Sequence, residues 1–382
     1  MNCQRKKFNL SKKYAYLNCA YMAPLLKKVE KAGMAGIKAK RQPYKVTGED
    51  FFKDVEILRI LFSDLINNPE PNRVVMVPSV SYGIGNVVNN IALTKGENVV
   101  LTEGQFPSNV YPWKHHCEKN GGELMLVAAP DTEDQRGSKW NENILAAINN
   151  RTRAVSLGHV HWADGTLFHL KAIREKCNKV GAALIIDGTQ SIGAYPFDIQ
   201  EIKPDALIVA GYKWLLGPYT SGFAYFGERF DQGEPIEHNW INRLHSEDFA
   251  NLVNYQDAYQ DGASRYGMGQ QSNFIANPML ITAIKQLRSW GVENIQNYCA
   301  DLIEPTLAEV RDLGLYVEDK DARGAHLFGI KFPQEKMDKL ANTLKTHRVS
   351  VSVRGEFIRV APHVYNDDRD MRKLVKALKE AL

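Results

Sequence analysis

Along the first two thirds of the chain, short apolar runs alternate with longer stretches in which apolar residues return every three or four positions. The runs at 74–77, 98–101, 124–127, 154–157, 182–186, 206–209 and 223–226 are brief, continuous and closed by turn-forming residues, as strands buried on both faces are. Helical spacing marks 25–39 and 51–66, the second through Val55, Leu58, Phe62 and Leu65. A segment with Ile84, Val87, Val88 and Ile91 reads as a helix capped by Ser81, and one with Leu167, Leu170, Ile173, Cys177 and Val180 as a helix stopped by Gly181. Strands alternating with helices predict a three-layer α/β domain around a mostly parallel seven-stranded sheet.

Beyond Gly227 the pattern changes. A polar, loop-rich segment leads into a helix with Leu280, Ile281, Ile284 and Leu287 that ends at Trp290-Gly291. Strands follow at 325–332, 350–353 and 357–360, and Met371, Leu374, Val375 and Leu378 stripe a closing helix. The expected organisation is an irregular arm at 1–24 packing with the small domain, a large ligand-binding domain at 25–276, and a smaller α+β domain at 277–382.

Composition narrows the class. The 382 residues are 44% hydrophobic and 24% charged with a net charge of +4, a balance that directs the chain toward neither nucleic acid nor an anionic membrane. No apolar run approaches the length of about 18 residues needed to span a bilayer, and the basic start Arg5-Lys6-Lys7 lacks the apolar core of a signal peptide. Cys3, Cys19, Cys117, Cys177 and Cys299 are scattered and odd in number, so reduced thiols in a cytoplasmic protein are expected rather than a disulfide framework or a zinc site.

Two polar groups stand at the ends of buried strands. Asp187 follows Leu184-Ile185-Ile186, where a carboxylate needs a partner, and Lys213 lies just past the 206–209 strand between Tyr212 and Trp214. In a parallel sheet such positions converge on one crevice. Desolvation favours the neutral amine that Schiff-base chemistry requires. Pyridoxal 5′-phosphate needs an aldehyde-binding lysine, an acid at its ring nitrogen, a stacking ring and N–H donors for its phosphate. Lys213, Asp187, Phe106 and the turn at Ser81 meet those four needs in turn.

The segments Asp187-Gly-Thr-Gln190, Lys203-Pro-Asp205, Gly211-Tyr-Lys213 and Leu216-Gly-Pro218 resemble the cofactor signature of the class V aminotransferases. These fold-type I enzymes include cysteine desulfurases, kynureninases and isopenicillin-N-epimerase-like proteins. The resemblance extends to Tyr16-Leu17-Asn18, 79–83, 106–113, 158–166 and 359–366. It implies that Lys213 holds the cofactor and moves protons at the substrate carbon, that Asp187 pairs with the ring nitrogen, and that Gln190 sits near the phenolic oxygen. It also implies that Val80, Ser81 and Tyr212 hold the phosphate, that Phe106 stacks on the ring, and that Arg359 grips the substrate carboxylate with its bidentate fork. The expected activity is transfer of an amino group from an amino acid to a keto acid in a homodimer. Epimerisation and kynureninase-like cleavage use the same parts, and a non-catalytic binding protein would not need both Lys213 and Asp187.

Three departures stand out. Trp162 replaces a desulfurase asparagine near the cofactor oxygen, and Gln270, after Gly269, replaces a threonine that the family supplies to the neighbouring subunit's phosphate. Only Gly355, Glu356, Phe357 and Ile358 separate Arg354 from Arg359, where desulfurases insert a long loop with the nucleophilic cysteine. Desulfurase activity is therefore not expected. His159 and His161 are read as structural or as packing at the cofactor edge rather than as metal ligands. Arg323-Gly-Ala-His326 is either an approach to the substrate or the turn into a strand.

Overall fold

The computed structural model describes residues 1–382. The arm contributes a short strand, β1 (Ala15–Tyr16), and two helices follow, α1 (Lys27–Ala39) and α2 (Asp50–Leu65). The main sheet is built from β2 (Val74–Val77), β3 (Asn98–Thr102), β4 (Glu123–Val127), β5 (Thr152–Gly158), β6 (Ala183–Asp187), β7 (Ala206–Ala210) and β8 (Gly222–Phe226). Its spatial order is β2-β8-β7-β6-β5-β3-β4, and only β8 runs against its neighbours. The seven-stranded α/β architecture expected from the apolar runs is the one the chain adopts.

Alternation along each strand explains the three layers. Leu184 and Ile186 of β6, with Leu207 and Val209 of β7, join one core with α2, while Ala183, Ile185, Ala206 and Ile208 face another. The second core is completed by α3 (Val80–Asn89) and α4 (Tyr111–Asn120), and the first takes in α5 (Arg136–Ala147) and α6 (Leu170–Val180). Gly181, at φ +76°, closes α6 in the left-handed conformation that glycine adopts without strain. A single-turn α7 (Ile199–Ile202) precedes β7.

The remainder comprises α8 (Ala276–Trp290), α9 (Val292–Asp312), β9 (Phe328–Lys331), α10 (Met337–Thr346), β10 (Val349–Ser350), β11 (Ser352–Arg354), β12 (Phe357–Val360) and α11 (Asp368–Ala381). α8 joins the first core through Leu280, Ile284 and Leu287, whereas the later turns of α9 form a third core with β9, α10, β12, α11 and Ala15 and Leu17 of the arm. α8 lies against α1 so closely that a Cβ on Gly33 would stand 2.7 Å from the Met279 sulfur. The single strand expected at 350–353 is two: β10 pairs with β1 of the arm, and β11 pairs with β12. Strand β9 is shorter than the expected 325–332, because the Ala325 N–H is taken by the Gln296 side chain (3.0 Å) before the ladder begins.

Helix α3 approaches the sheet more closely than a side chain permits. A Cβ on Gly83 would fall 2.8 Å from both γ carbons of Ile208 on β7. Gly83→Val is expected to cost about 1–3 kcal/mol of stability through overpacking, read as a lowered midpoint in urea or thermal unfolding.

Candidate active site

Asp187 ends β6, in register with Gly158 of β5 and Ile208 of β7. The strand's fully apolar burial carries this carboxylate into the interior, where only 7% of the residue remains exposed. The Thr189 N–H donates to its Oδ1 (3.0 Å), and the Thr189 hydroxyl in turn accepts from the Ala210 N–H at the end of β7 (3.1 Å). Burial pushes the Asp187 carboxyl up, while the Thr189 bonds and the Lys213 charge oppose that rise. A dry carboxylate with a free edge toward a cavity fits the ring nitrogen of a protonated pyridine.

Lys213 follows β7 after a turn that admits no side chain, since a Cβ on Gly211 would lie 2.5 Å from the Ser221 carbonyl oxygen. The turn closes through Leu216, whose N–H donates to the Lys213 carbonyl (3.0 Å) and whose own backbone is left-handed (φ +54°). The amine is buried, 5.3 Å from the Phe106 ring centroid and 5.5 Å from that of Tyr212. Desolvation lowers its pKa to about 8; Asp187 pulls the other way, and Arg359 and Arg354 reinforce the fall.

Ser79 and not Ser81 caps α3: its extended backbone and its Oγ, which accepts from the Tyr82 N–H (3.2 Å), start the helix two residues before the expected place. The earlier start leaves the Val80 and Ser81 N–H groups without intrahelical acceptors at the positive end of the helix, a cradle suited to phosphate. Pro78, Ser79, Val80 and Ser81 form one wall of the cavity, and Asp187, Gln190, Tyr212 and Lys213 form another.

Phe106 and Trp162 meet edge to face across the mouth with centroids 5.4 Å apart, and the Trp162 indole N–H donates to the Gly104 carbonyl (2.7 Å). Gln190 accepts from the Trp214 indole (2.8 Å) and donates to the Ala20 carbonyl of the arm (3.3 Å). One amide N–H of Gln190 remains for a ligand oxygen.

Seven of the eight residues singled out from the sequence therefore line one cavity: Val80, Ser81, Phe106, Asp187, Gln190, Tyr212 and Lys213. Arg359 is not in its wall. It lies on β12, 1% exposed, and donates to the Trp162 carbonyl (2.8 Å) with its guanidinium 5.9 Å from the Trp162 ring. Gln105, Ser108, Thr189, Tyr219, Thr220 and Ser221 also line the cavity and were not anticipated. Tyr219 to Ser221 follow Pro218 directly, so their place beside the lysine turn was the available signal.

Alternation past β5 turns Gly158, Val160 and Trp162 toward the cavity and leaves His159 and His161 outside its wall. His159 packs against Tyr195 (5.2 Å) and is held neutral by burial, its pKa pushed down to about 3. His161 bonds to Asp164 (3.0 Å), which pairs with Arg136 (2.9 Å), and no cluster of metal-binding side chains is present. His326 lies under Trp214 (4.7 Å) and bonds to the Gln190 carbonyl (2.7 Å); it does not line the cavity, so the turn into β9 accounts for it. The Gly269 N–H donates to Glu237 (2.8 Å), which also accepts from the Tyr82 hydroxyl (2.8 Å) on α3, and Gln270 is exposed.

A family profile, aminotransferase class-V, matches residues 37–376. The chain belongs to that family. It is similar to an uncharacterized aminotransferase, YcbU, of Bacillus subtilis (28% identity, covering 87% of this chain and 85% of the relative). A cysteine desulfurase of an Enterobacter species is 27% identical over 69% of this chain and 64% of its own length. Among solved structures, a cysteine desulfurase from Thermococcus onnurineus superimposes with a TM-score of 0.84 at 19% identity, covering 100% of this chain and 98% of that one. A C-DES variant with glycine linked covalently to its PLP cofactor reaches 0.87 at 17% identity, covering 98% of each chain. These two likenesses show the fold, fold-type I. Family membership makes this chain a pyridoxal-phosphate-dependent enzyme acting on an amino acid.

The lowered Lys213 pKa gives a titration. With Lys213 as the amine that takes up pyridoxal phosphate, the uptake rate of the apoprotein should rise with pH to a midpoint of about 8 rather than the 10.5 of free lysine, since only the neutral amine is nucleophilic. Asp187→Asn removes the charge that holds the ammonium form and should move the midpoint down. Stopped-flow absorbance across pH 6–10 measures both.

Proposed function

We propose that this protein is an aminotransferase, moving the amino group of an amino acid to a keto acid. The observation that carries the reading is a buried amine of lowered pKa beside a buried carboxylate, both facing the open N-terminus of α3. When bound, pyridoxal phosphate supplies the aldehyde that takes up the amino group and the electron sink that lets the substrate Cα–H bond break.

The chain's residues divide the remaining work. Val80 and Ser81 N–H groups and the Tyr212 hydroxyl would hold the phosphate end, and Asp187 would keep the ring nitrogen protonated. Phe106 would cover the ring and Gln190 would donate to its phenolic oxygen. Arg359, which lies behind Trp162, would take the substrate carboxylate by exchanging its bond to the Trp162 carbonyl for it. Lys213, neutral for a substantial fraction of the time near pH 8, would be the base that takes the substrate Cα proton and the acid that gives a proton back. Phe106 and Trp162 narrow the mouth and exclude water.

Transamination is favoured over the desulfurase chemistry in the names of several relatives, because no cysteine lines the cavity and Cys19 is fully buried, its thiol pushed up to about 12 by desolvation. We place the enzyme in the cytoplasm as a homodimer. Five free cysteines support the first, and the exposed Trp240, Phe249, Val253 and Tyr255 support the second. No helix is long and apolar enough to cross a membrane.

Incubating the holoenzyme with single amino acids and a keto acid, with product identification, tests the reading. The expected products are the matching keto acid and new amino acid in equal amounts; sulfide, racemised substrate or a cleaved side chain would refute it. Lys213→Ala is expected to lower turnover by about 10²–10⁴-fold or more while a melting curve stays close to that of the parent.

A further inference from the structure

The hairpin of β11 and β12 presents two guanidinium groups for which the fold supplies no counter-charge. Ser352 pairs with Arg359 and Arg354 with Phe357, so the two-residue period places Arg354 and Arg359 diagonally on one face. The two-residue turn Gly355-Glu356, with Gly355 at φ +57°, fixes that register. Both guanidinium groups lie over Trp162, at 5.3 Å for Arg354 and 5.9 Å for Arg359, and Trp162 is a wall of the cavity.

Their bonding is incomplete. The Nε of each is buried without a partner, and the bonds they make go to main-chain carbonyls of Val353 (2.7 Å) and Trp162 (2.8 Å), with a long contact from Arg359 to the Ser352 hydroxyl (3.5 Å). Nearby carboxylates are engaged elsewhere: Glu356 with Lys331 (3.2 Å), Asp164 and Glu318 with Arg136 (2.9 and 3.5 Å). Burial first and Arg354 second lower the Arg359 pKa to about 10. Two like charges held together in a partly dry site are unfavourable until anionic groups arrive.

We propose that Arg354 is a specificity-determining residue which, with Arg359, selects amino acids carrying a second carboxylate on the side chain, together with the corresponding 2-oxo diacids. A single carboxylate satisfies one guanidinium through a bidentate fork and leaves the other unpaired, whereas a dicarboxylate satisfies both. This assignment rests on the reading of the protein as an aminotransferase with Arg359 at the α-carboxylate.

Binding to the holoenzyme, followed by tryptophan fluorescence, compares succinate and glutarate with butyrate. The diacids should bind about ten- to hundredfold more tightly, Arg354→Gln should bring them to the affinity of butyrate, and Arg354→Lys should keep part of the advantage. Unfolding curves establish that each variant is folded. Equal affinity for mono- and diacids, or an advantage that survives Arg354→Gln, would overturn the assignment. Kinetics separates it from the reading it rests on. If alanine or glutamine is transaminated as efficiently as aspartate and glutamate, the aminotransferase stands and the role of Arg354 falls. Diacid selectivity with no amino acid converted would leave the anion site standing and remove the aminotransferase.

Discussion

An amine and a carboxylate held at the ends of two fully buried strands set the terms for everything around them. Water is excluded from β6 and β7 on both faces, so Asp187 and Lys213 carry desolvation penalties of opposite consequence: one is pushed toward the protonated acid, the other toward the free amine. Each offsets part of the other's shift. Thr189 binds the two strand ends together through its N–H and hydroxyl, and the glycine turn at Gly211 delivers the lysine with little slack. The sheet thus acts as an electrostatic device as much as a scaffold.

Around this pair the site is assembled from distant parts of the chain, each for a local reason. Helix α3 can begin close to the sheet because Gly83 has no side chain to hold it off. Trp162 reaches the mouth because the backbone after β5 continues to alternate, sending two histidines the other way. Gln190 is oriented by Trp214, an obligate donor, which leaves no ambiguity about which end of the amide accepts. His326, held neutral by burial with its pKa lowered to about 4, supports this group from beneath without adding charge.

Much of this was legible in the sequence, for reasons the structure makes plain. Strands buried on both faces write continuous apolar runs, and the half-exposed edge strand β4 keeps one at 124–127, so all seven strands of the main sheet, with Asp187 and Lys213 at two of their ends, could be found. Less could be read where no single element carries the signal. Helix α9 contains Pro305, α5 mixes Trp140 and Ile144 with polar neighbours, and β10 and β11 are separated by one residue that divides a single apolar stretch between two sheets. The cap of α3 was assigned to Ser81 in place of Ser79 because serines stand at both positions and only backbone geometry distinguishes them. Thr220 and Ser221 gave no periodic signal, since a loop owes its place to the turn before it.

The arm has a consequence for how the molecule is made. Residues of the arm find their partners far along the chain: the Gln4 N–H bonds to the Val364 carbonyl, Ala15 pairs with Val349, and Asn18 bridges to Ala361. The same arm then reaches the cofactor side, where its Ala20 carbonyl accepts from Gln190 and its Ala23 N–H bonds to the Tyr212 carbonyl. During synthesis the central sheet can form while the arm still has nothing to pair with, so the wall of the site behind Gln190 is completed only when β10 and β12 have emerged. Full enclosure of Lys213 therefore waits for β12, and a nascent chain that stalls short of it would present the lysine without the surroundings that tune it.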